Sequence, residues 1–167
     1  ENVAVGASAL TMNSTGAFNV AIGTNALFKN NSNVLNVAVG QDALKNNAQN
    51  YNTAIGGSSM LNNVGGQNNV AVGYNSLLGN ISGNSNTAGG RQALATNKAD
   101  QNVAVGTDSL LKNDTGIGST AVGFQSLYNN LANSNTGVGN STLFTNSAGM
   151  DNVAIGNNAL YNNSVSE

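Results

Sequence analysis

Few residues of this chain could take part in chemistry. The 167-residue sequence contains no Cys and no His, so common zinc sites, thiol redox centres and His-based triads cannot be built from it. Charged residues make up 7% of the chain, against about 25% in a typical globular domain. We therefore predict that the chain is not an enzyme and has no catalytic residue, metal site or cofactor. The sequence identifies no ligand-binding residue either.

The acidic side chains are spread too thinly for paired-carboxylate chemistry. They are Glu1, Asp42, Asp100, Asp108, Asp114, Asp151 and Glu167. Asp42 and Asp108 stand at equivalent positions of a repeat, four units apart, which at about 4.8 Å per stacked unit separates them by about 19 Å. Hydrolysis by two carboxylates needs a separation of about 5 to 9.5 Å. Only Asp108 and Asp114 are close enough in sequence to share one unit.

The basic residues exclude a nucleic-acid partner. Five Lys and Arg against seven Asp and Glu give a net charge of −2, and the basic residues stand singly, at Lys29, Lys45, Arg91, Lys98 and Lys112. Binding to a phosphate backbone requires a clustered basic surface. No apolar run approaches the roughly 18 residues of a membrane span, so we expect no membrane insertion by this segment.

One sequence motif repeats from end to end, and its structure must position the side chains at the surface. Its glycines are Gly6, Gly23, Gly40, Gly56, Gly73, Gly90, Gly106, Gly123, Gly139 and Gly156, spaced by 16 or 17 residues. We call this Gly position 0. Position −4 is Asn in nine copies and Ser119 in the other, position +4 is Leu or Met60, and position +7 is always Asn. This period is typical of a solenoid or fibre whose units bury their apolar sides by stacking.

Each unit is expected to form one coil with a short strand and a helical turn. Asn-Val-Ala-Val-Gly alternates as a strand does, with branched residues on one face and small residues on the other. The short polar residue at position +2 is of a type favoured at helix N-caps, and Asn at +7 can end a helical turn in the left-handed conformation. Asn-Gly, the strongest hairpin signal, is absent, so parallel stacked coils are favoured over hairpins.

Asparagine occurs 34 times, and its columns have two interpretations. They are either a recognition surface or ladders of amides that bond to one another and to turn backbone. We favour the ladders. The single-residue slips between 16 and 17 all fall between Asn at +7 and the next Asn at −4, which we predict to be the outer loop.

A family resemblance enters through these residues. Asn-Val-Ala-Ile-Gly, at residues 19–23 and 152–156, resembles the head repeats of trimeric autotransporter adhesins. The longer form Asn-x-Ala-x-Gly-x-x-Ala-Leu-x-x-Asn resembles repeats of tail-fibre-like proteins from phages, large viruses and bacteria, although its Leu-x-x-Asn half has no close equivalent in the adhesin heads. The resemblance covers all ten repeats and implies a homotrimeric, β-rich stalk or head displayed outside the cell or virion.

Position +5 supplies an argument for assembly. Seven of its ten residues are large and apolar: Phe28, Leu61, Leu78, Leu111, Tyr128, Phe144 and Tyr161. Since Leu at +4 is expected to point inward, its neighbour points elsewhere, and an apolar stripe marks an interface. The alternative is that the stripe covers the coil's own outer loop. Because the core of one coil is thin, we expect a homotrimer that shares its core.

The predicted fold is a β-dominated solenoid or fibre of ten stacked 16–17-residue coils, assembled as a homotrimeric parallel β-roll or β-prism. Residues 1–167 are expected to form a single repeat domain, a fragment of a longer fibrous protein. The expected function is that of a structural and adhesive segment of an extracellular fibre, either an adhesin head or stalk or a tail-fibre-like protein. Its partners are expected to be copies of itself and a glycan or protein on a host or prey cell, met at the cell surface or virion surface.

Two alternatives use other surfaces. The first is a glycan- or surface-binding module that uses the loops, such as residues 13–19, but the loops differ in sequence from copy to copy, which argues against one repeated site. The remote alternative is an ice-binding solenoid, since four threonines share position −3: Thr53, Thr87, Thr120 and Thr136. Val fills the other six copies, so the hydroxyl array is broken.

Overall fold

Short strands from successive repeats stack side by side in one parallel sheet. The computed structural model describes residues 1–163, with the strands β1 (Asn2–Val5), β2 (Asn19–Ile22), β3 (Val37–Val39), β4 (Thr53–Ile55), β5 (Val70–Val72), β6 (Thr87–Gly89), β7 (Val103–Val105), β8 (Thr120–Val122), β9 (Thr136–Val138) and β10 (Val153–Ile155). The sheet order follows the chain order. The predicted solenoid of ten coils is confirmed, and we number the coils 1 to 10 by their strands.

The register aligns equivalent positions of every repeat. Ala71 at position −2 pairs with Ala54 on one side and Ala88 on the other, and Val72 at −1 pairs with Ile55 and Gly89. Because each coil places the same residue type above the same neighbour, sequence columns become spatial columns along the rod. This stacking confirms the choice of parallel coils over hairpins.

The core is made of small and medium side chains. Ala at position −2 is fully buried in the interior coils, as are Leu or Met at +4 and most of the Ala or Ser residues at +3. The small-residue face of each strand is therefore the inner one. Coil 9 shows how tightly these columns fit, because Thr142 at +3 replaces the usual Ala or Ser and Gly137 replaces the usual Ala at −2. A Cβ on Gly137 would lie 2.7 Å from the Thr142 hydroxyl oxygen.

The predicted helical turn is wrong. No helix is present in residues 1–163, and positions +1 to +6 form a run of turns. The residues at +2 and +4 have φ between +47° and +60° in all ten coils, so position +2 is in the left-handed region and is not an N-cap. Asn at +7 is not among the residues with positive φ, contrary to our expectation that it would close the turn.

Because the backbone conformation alternates along the turns, successive N–H groups donate alternately to a neighbouring coil and within their own coil. In coil 5 the Asn75 N–H donates to Gly57 O of the coil before (3.1 Å), and the Leu77 N–H donates to Ala93 O of the coil after (3.0 Å). Between them, the Ser76 N–H donates back to Gly73 O (3.3 Å). A helix would have directed all its bonds along its own axis, and its neighbours could not have stacked at sheet spacing.

Asparagine side chains complete the hydrogen bonding of each loop. The Asn69 Oδ1 accepts the backbone N–H of Asn86 in the next coil (2.9 Å), and its Nδ2 donates to Gly83 O (2.9 Å). Asn80 at +7 donates its Nδ2 to the same Gly83 carbonyl (2.9 Å) and to Asn63 Oδ1 (2.9 Å). Both amides are fully buried. The prediction of structural amide ladders is confirmed.

Loop length changes together with the type of residue whose carbonyl accepts the Asn amide at +7. In five of the six described 17-residue coils the carbonyl belongs to a Gly, such as Gly66, where a Cβ would lie 2.5 Å from Asn63 Oδ1. The exception is Asn33. In the three 16-residue coils it belongs to Gln49, Ala99 or Ala132. One residue fewer in the loop therefore goes with a side chain at this position.

Candidate functional site: the outer sheet face

The outer face of the sheet carries columns −3 and −1. We call these two columns the outer sheet face. Column −3 holds six Val and four Thr, and column −1 holds nine Val or Ile and Gly89. None of the twenty residues is charged. Such a surface offers dispersion contacts and apolar burial but no group for proton transfer or ion binding.

This face is open to solvent in the middle of the rod as well as at its ends. Val72 is 43% exposed and Val105 is 45% exposed, whereas Ala71 and Ala104 between the two columns are fully buried. The branched aliphatics therefore lie outside and the small residues inside. Contiguous apolar surfaces of this size mark interaction sites in soluble proteins.

Two further exposed columns border this face. Position −5 comes before the strand and position +1 follows it, and we call them the edge columns. Their large apolar residues are Phe18, Leu35 and Tyr51 at −5 and Tyr74 and Phe124 at +1, each about half exposed. The aromatic rings widen the apolar surface at some coils and are absent at others.

The column at +5, which the sequence predicted to be an exposed stripe, is half-buried. Leu61, Leu78 and Leu111 are partly covered and Ala95 is buried. The rings of Tyr128 and Phe144 stack at 4.9 Å between centroids, and Phe144 stacks on Tyr161 at the same distance. These side chains cover one another along the rod, so most of the +5 column is less exposed than the Val and Ile residues of column −1.

The four threonines at −3 lie on the outer sheet face, as the ice-binding alternative requires. They occupy coils 4, 6, 8 and 9, with valines in the intervening and flanking coils. Their hydroxyls therefore form no continuous row. The face is mainly aliphatic, and this observation does not favour ice binding.

Three of the acidic residues pair with bases, each in a different coil. Lys45 Nζ lies 3.0 Å from Asp42 Oδ1, Arg91 Nη1 lies 3.7 Å from Asp108 Oδ1, and Lys98 Nζ lies 2.7 Å from Asp114 Oδ1. Hydrogen bonds from Asn25 and then Lys45 lower the pKa of the Asp42 carboxyl. In residues 1–163 no three Asp or Glu side chains come close enough together to hold a metal ion.

Two shallow depressions lie on the loop side of the described coils. One is lined by Leu78, Ile81, Ala95 and Lys98 among others, where Gly79 and Ala95 replace the larger residues of neighbouring coils. The other lies near Leu131 and Met150. The two differ in their lining residues, in line with the sequence variation of the loops.

Sequence reasoning placed branched and small residues on opposite faces but did not identify the branched face as the exposed one. The sequence carried no direct signal for this, because alternation defines two faces but not which of them the rest of the coil covers. Within the described residues, no helix has the length and apolarity to cross a bilayer. No family model matches the chain, and neither a curated protein nor a solved structure matches it significantly.

Proposed function

We propose that this chain is a structural and adhesive segment of an extracellular homotrimeric fibre, with its copies joined through the outer sheet face. The observation that carries the proposal is the uncharged, mainly aliphatic outer sheet face, which is exposed or partly exposed in all ten coils. Coils 1 to 9 already satisfy the loop carbonyl and bury the residue at +4 within one chain. The remaining unpartnered surface is therefore available for association and not needed to complete the fold.

The chemistry of the chain supports a mechanical role at the surface of a cell or virion. Among residues 1–163 the carboxylates pair with bases or stand apart, and the buried amides bond to backbone, which supports a mechanical role over a catalytic one. A stacked rod gives reach, and its loops can vary without changing the core. The resemblance of the repeat phrase to adhesin-head and tail-fibre repeats agrees with this role.

Association is tested by measuring mass in solution. Light scattering on the purified chain should give three times the 16.7 kDa chain mass. Val105→Lys places a charge on the outer sheet face and should yield monomers that keep their β-type circular dichroism. Gln67→Lys, on an exposed loop, is the matched control and should leave the trimer intact. A wild-type mass of one chain at micromolar concentration overturns the proposal.

A glycan array probed with the same proteins distinguishes the loop-binding alternative from the fibre. Binding that is lost in Val105→Lys depends on assembly and agrees with a fibre. Binding of equal strength by the monomeric variant would place recognition on the loops of a single chain and replace the fibre with a binding module.

A further inference from the structure

Four of the six N-glycosylation motifs in the chain fall on the asparagine ladder at position +7. The motif Asn-x-Ser/Thr, with any residue except Pro at x, is the signal for attachment of a glycan to the Asn side chain. It begins at Asn13, Asn30, Asn80, Asn113, Asn140 and Asn162. The first four stand at +7, and Asn30, Asn80 and Asn113 among them are fully buried. We call these three residues the ladder acceptors.

The nitrogen that would carry the glycan is already fully used in the folded chain. Asn80 Nδ2 donates to Asn63 Oδ1 (2.9 Å) and to Gly83 O (2.9 Å). Asn113 Nδ2 makes the equivalent pair of hydrogen bonds at 2.9 and 2.8 Å, and Asn30 Nδ2 makes them at 3.3 and 3.1 Å. A side-chain amide has two N–H donors, so a bond from this nitrogen to a sugar removes one of the two contacts.

The loop packs too tightly against these amides to admit a sugar. A Cβ added to Gly83 would lie 2.4 Å from Asn80 Oδ1. A Cβ added to Gly116 would lie 2.4 Å from Asn113 Oδ1. Since one extra carbon atom already clashes beside the amide, a glycan would force the loop away from it. The modified coil would then lose its stacking on the coil before, and a solenoid is stable only through contacts between neighbouring coils.

We infer that Asn30, Asn80 and Asn113 are glycan acceptors only in the unfolded chain, and that a glycan on any of them prevents its coil from forming. The donor of such a transfer is an oligosaccharide linked to a lipid diphosphate. The Asn nitrogen forms a bond to the anomeric carbon as the bond from that carbon to the phosphate oxygen breaks. The lipid diphosphate leaves, and the nitrogen gives up one proton.

Folding and modification of the ladder acceptors therefore exclude each other. The folded chain is protected because these nitrogens are buried, whereas the unfolded chain exposes all of them. The folded protein is made where the unfolded chain does not meet a transferase that recognises Asn-x-Ser/Thr. The inference does not rest on the proposed function, because a single chain supplies every contact that it uses.

Asn140 provides an internal contrast. It lies in the edge column at +1 and is exposed, and its side-chain oxygen accepts a hydrogen bond from Ser141 Oγ (2.7 Å). A glycan on its nitrogen leaves that bond in place and extends into solvent. The fold therefore tolerates modification at Asn140, and a glycan there reports that the transferase has acted on the chain.

Secretion from a eukaryotic cell line tests the inference. The parent protein is the chain fused to a secretion signal, with Thr15→Ala to remove the motif of Asn13 in the end coil. The test variant adds Ser32→Ala, Ser82→Ala and Thr115→Ala, which remove the three ladder motifs but keep every ladder Asn. All four substituted residues are exposed. Without the signal, both proteins should fold alike in the bacterial cytosol, as measured by circular dichroism.

In the secretory pathway the two proteins should behave differently. The parent should be retained in the cell with glycans on the ladder acceptors, located by mass spectrometry of proteolytic peptides. The test variant should be secreted as a folded rod with a glycan on Asn140. Protease resistance of the parent gives a second readout that needs no variant, since ladder glycans should be confined to its protease-sensitive fraction.

Three results would overturn the inference. A secreted, folded parent with a glycan on a ladder acceptor would show that the coil admits the sugar. A secreted, folded parent with unmodified ladder acceptors would show that these residues are not modified before the chain folds. Retention of the test variant, despite normal folding in the bacterial cytosol, would place the block to secretion outside the ladder.

Discussion

At the scale of single residues, buried Asn amides supply the hydrogen bonds that the backbone of each loop cannot make with other backbone groups. The carbonyl of Gly83 receives N–H groups from both Asn69 and Asn80, and the Asn69 oxygen in turn accepts the N–H of Asn86. A buried polar group without a partner costs about 1 to 3 kcal/mol. The Asn amide separates its donor from its acceptor, so one side chain can serve a carbonyl and a backbone N–H at once, which accounts for its abundance in this chain.

Replacing a ladder amide should therefore be costly even though no charge or large apolar group is lost. Asn69→Ala leaves the Asn86 N–H without its acceptor and should lower the free energy of unfolding by about 2 to 4 kcal/mol. Asn129→Ala, at a partly exposed position, should change it by less than about 0.5 kcal/mol. Urea unfolding followed by circular dichroism measures both. Equal effects would contradict the assignment of the ladder.

Substitution by Ala should have opposite effects on stability at Gly73 and at Gly89. Gly73 at position 0 has φ +136°, and a Cβ there would lie 2.5 Å from Gly90 O. Gly73→Ala should cost about 3 kcal/mol or more, from strain and the clash with backbone. Gly89 has open space, with Val105 methyl groups 4.0 Å away, so Gly89→Ala should be neutral or stabilising by up to about 1 kcal/mol. Thermal unfolding of the two variants provides the comparison, and similar midpoints would be inconsistent with this geometry.

At the scale of the element, each coil joins a strand to a run of turns. The left-handed residues at +2 and +4 reverse the direction of successive peptide groups, so alternate N–H groups reach the neighbouring coils. A Leu in the left-handed region costs roughly 1 to 2 kcal/mol. Full burial of the same Leu side chain offsets this at about 1.5 to 3 kcal/mol. The turn segment thus depends on stacking and is not stable by itself.

The adjacent leucines of coil 5 test which position lies in the core and which lies near the surface. Leu77→Ala empties a fully buried position and should cost about 2 to 5 kcal/mol. Leu78→Ala, at half-buried position +5, should cost about 1 kcal/mol and leave the solution mass unchanged. The sequence-based expectation was that Leu78→Ala would weaken assembly. Chemical denaturation together with light scattering decides between them, since a fall in mass for Leu78→Ala would return the interface to the +5 column.

At the scale of the whole molecule, one translation relates all ten coils. Ring stacking at 4.9 Å agrees with the spacing of strands in a sheet. A solenoid of this kind gains stability from nearest-neighbour interfaces, so its length sets both its stability and its reach. Side-by-side association would thicken the rod without lengthening it.

Small-angle scattering should give a long dimension of about 48 Å for residues in ten coils spaced by about 4.8 Å. The same length is expected for the wild type and for monomeric Val105→Lys, whereas the cross-section should be larger for the wild type. A wild-type particle about twice as long would show end-to-end stacking in place of lateral assembly.

Stability should not depend on divalent cations. The described carboxylates pair with Lys45, Arg91 and Lys98 or stand apart, and the Asp42 column also contains Ser, Asn and Gln. Addition of calcium or of a chelator should shift the melting temperature by less than about 2 °C. A larger shift would reveal a cation held by acidic residues from several chains.

The sequence by itself determined the number of coils, their parallel stacking and the inward column of Leu77 and its equivalents, because a strict period forces like residues into register. It also favoured a structural role for Asn over a recognition surface, and the structure confirmed that role. Only the tertiary structure decided that Val72 faces outward and Ala71 inward, since alternation defines two faces but not which one the rest of the coil covers. Only the tertiary structure decided the turn geometry as well. Leu77 adopts a left-handed conformation against its local preference, because hydrogen bonds to the neighbouring coils and burial in the core outweigh that preference.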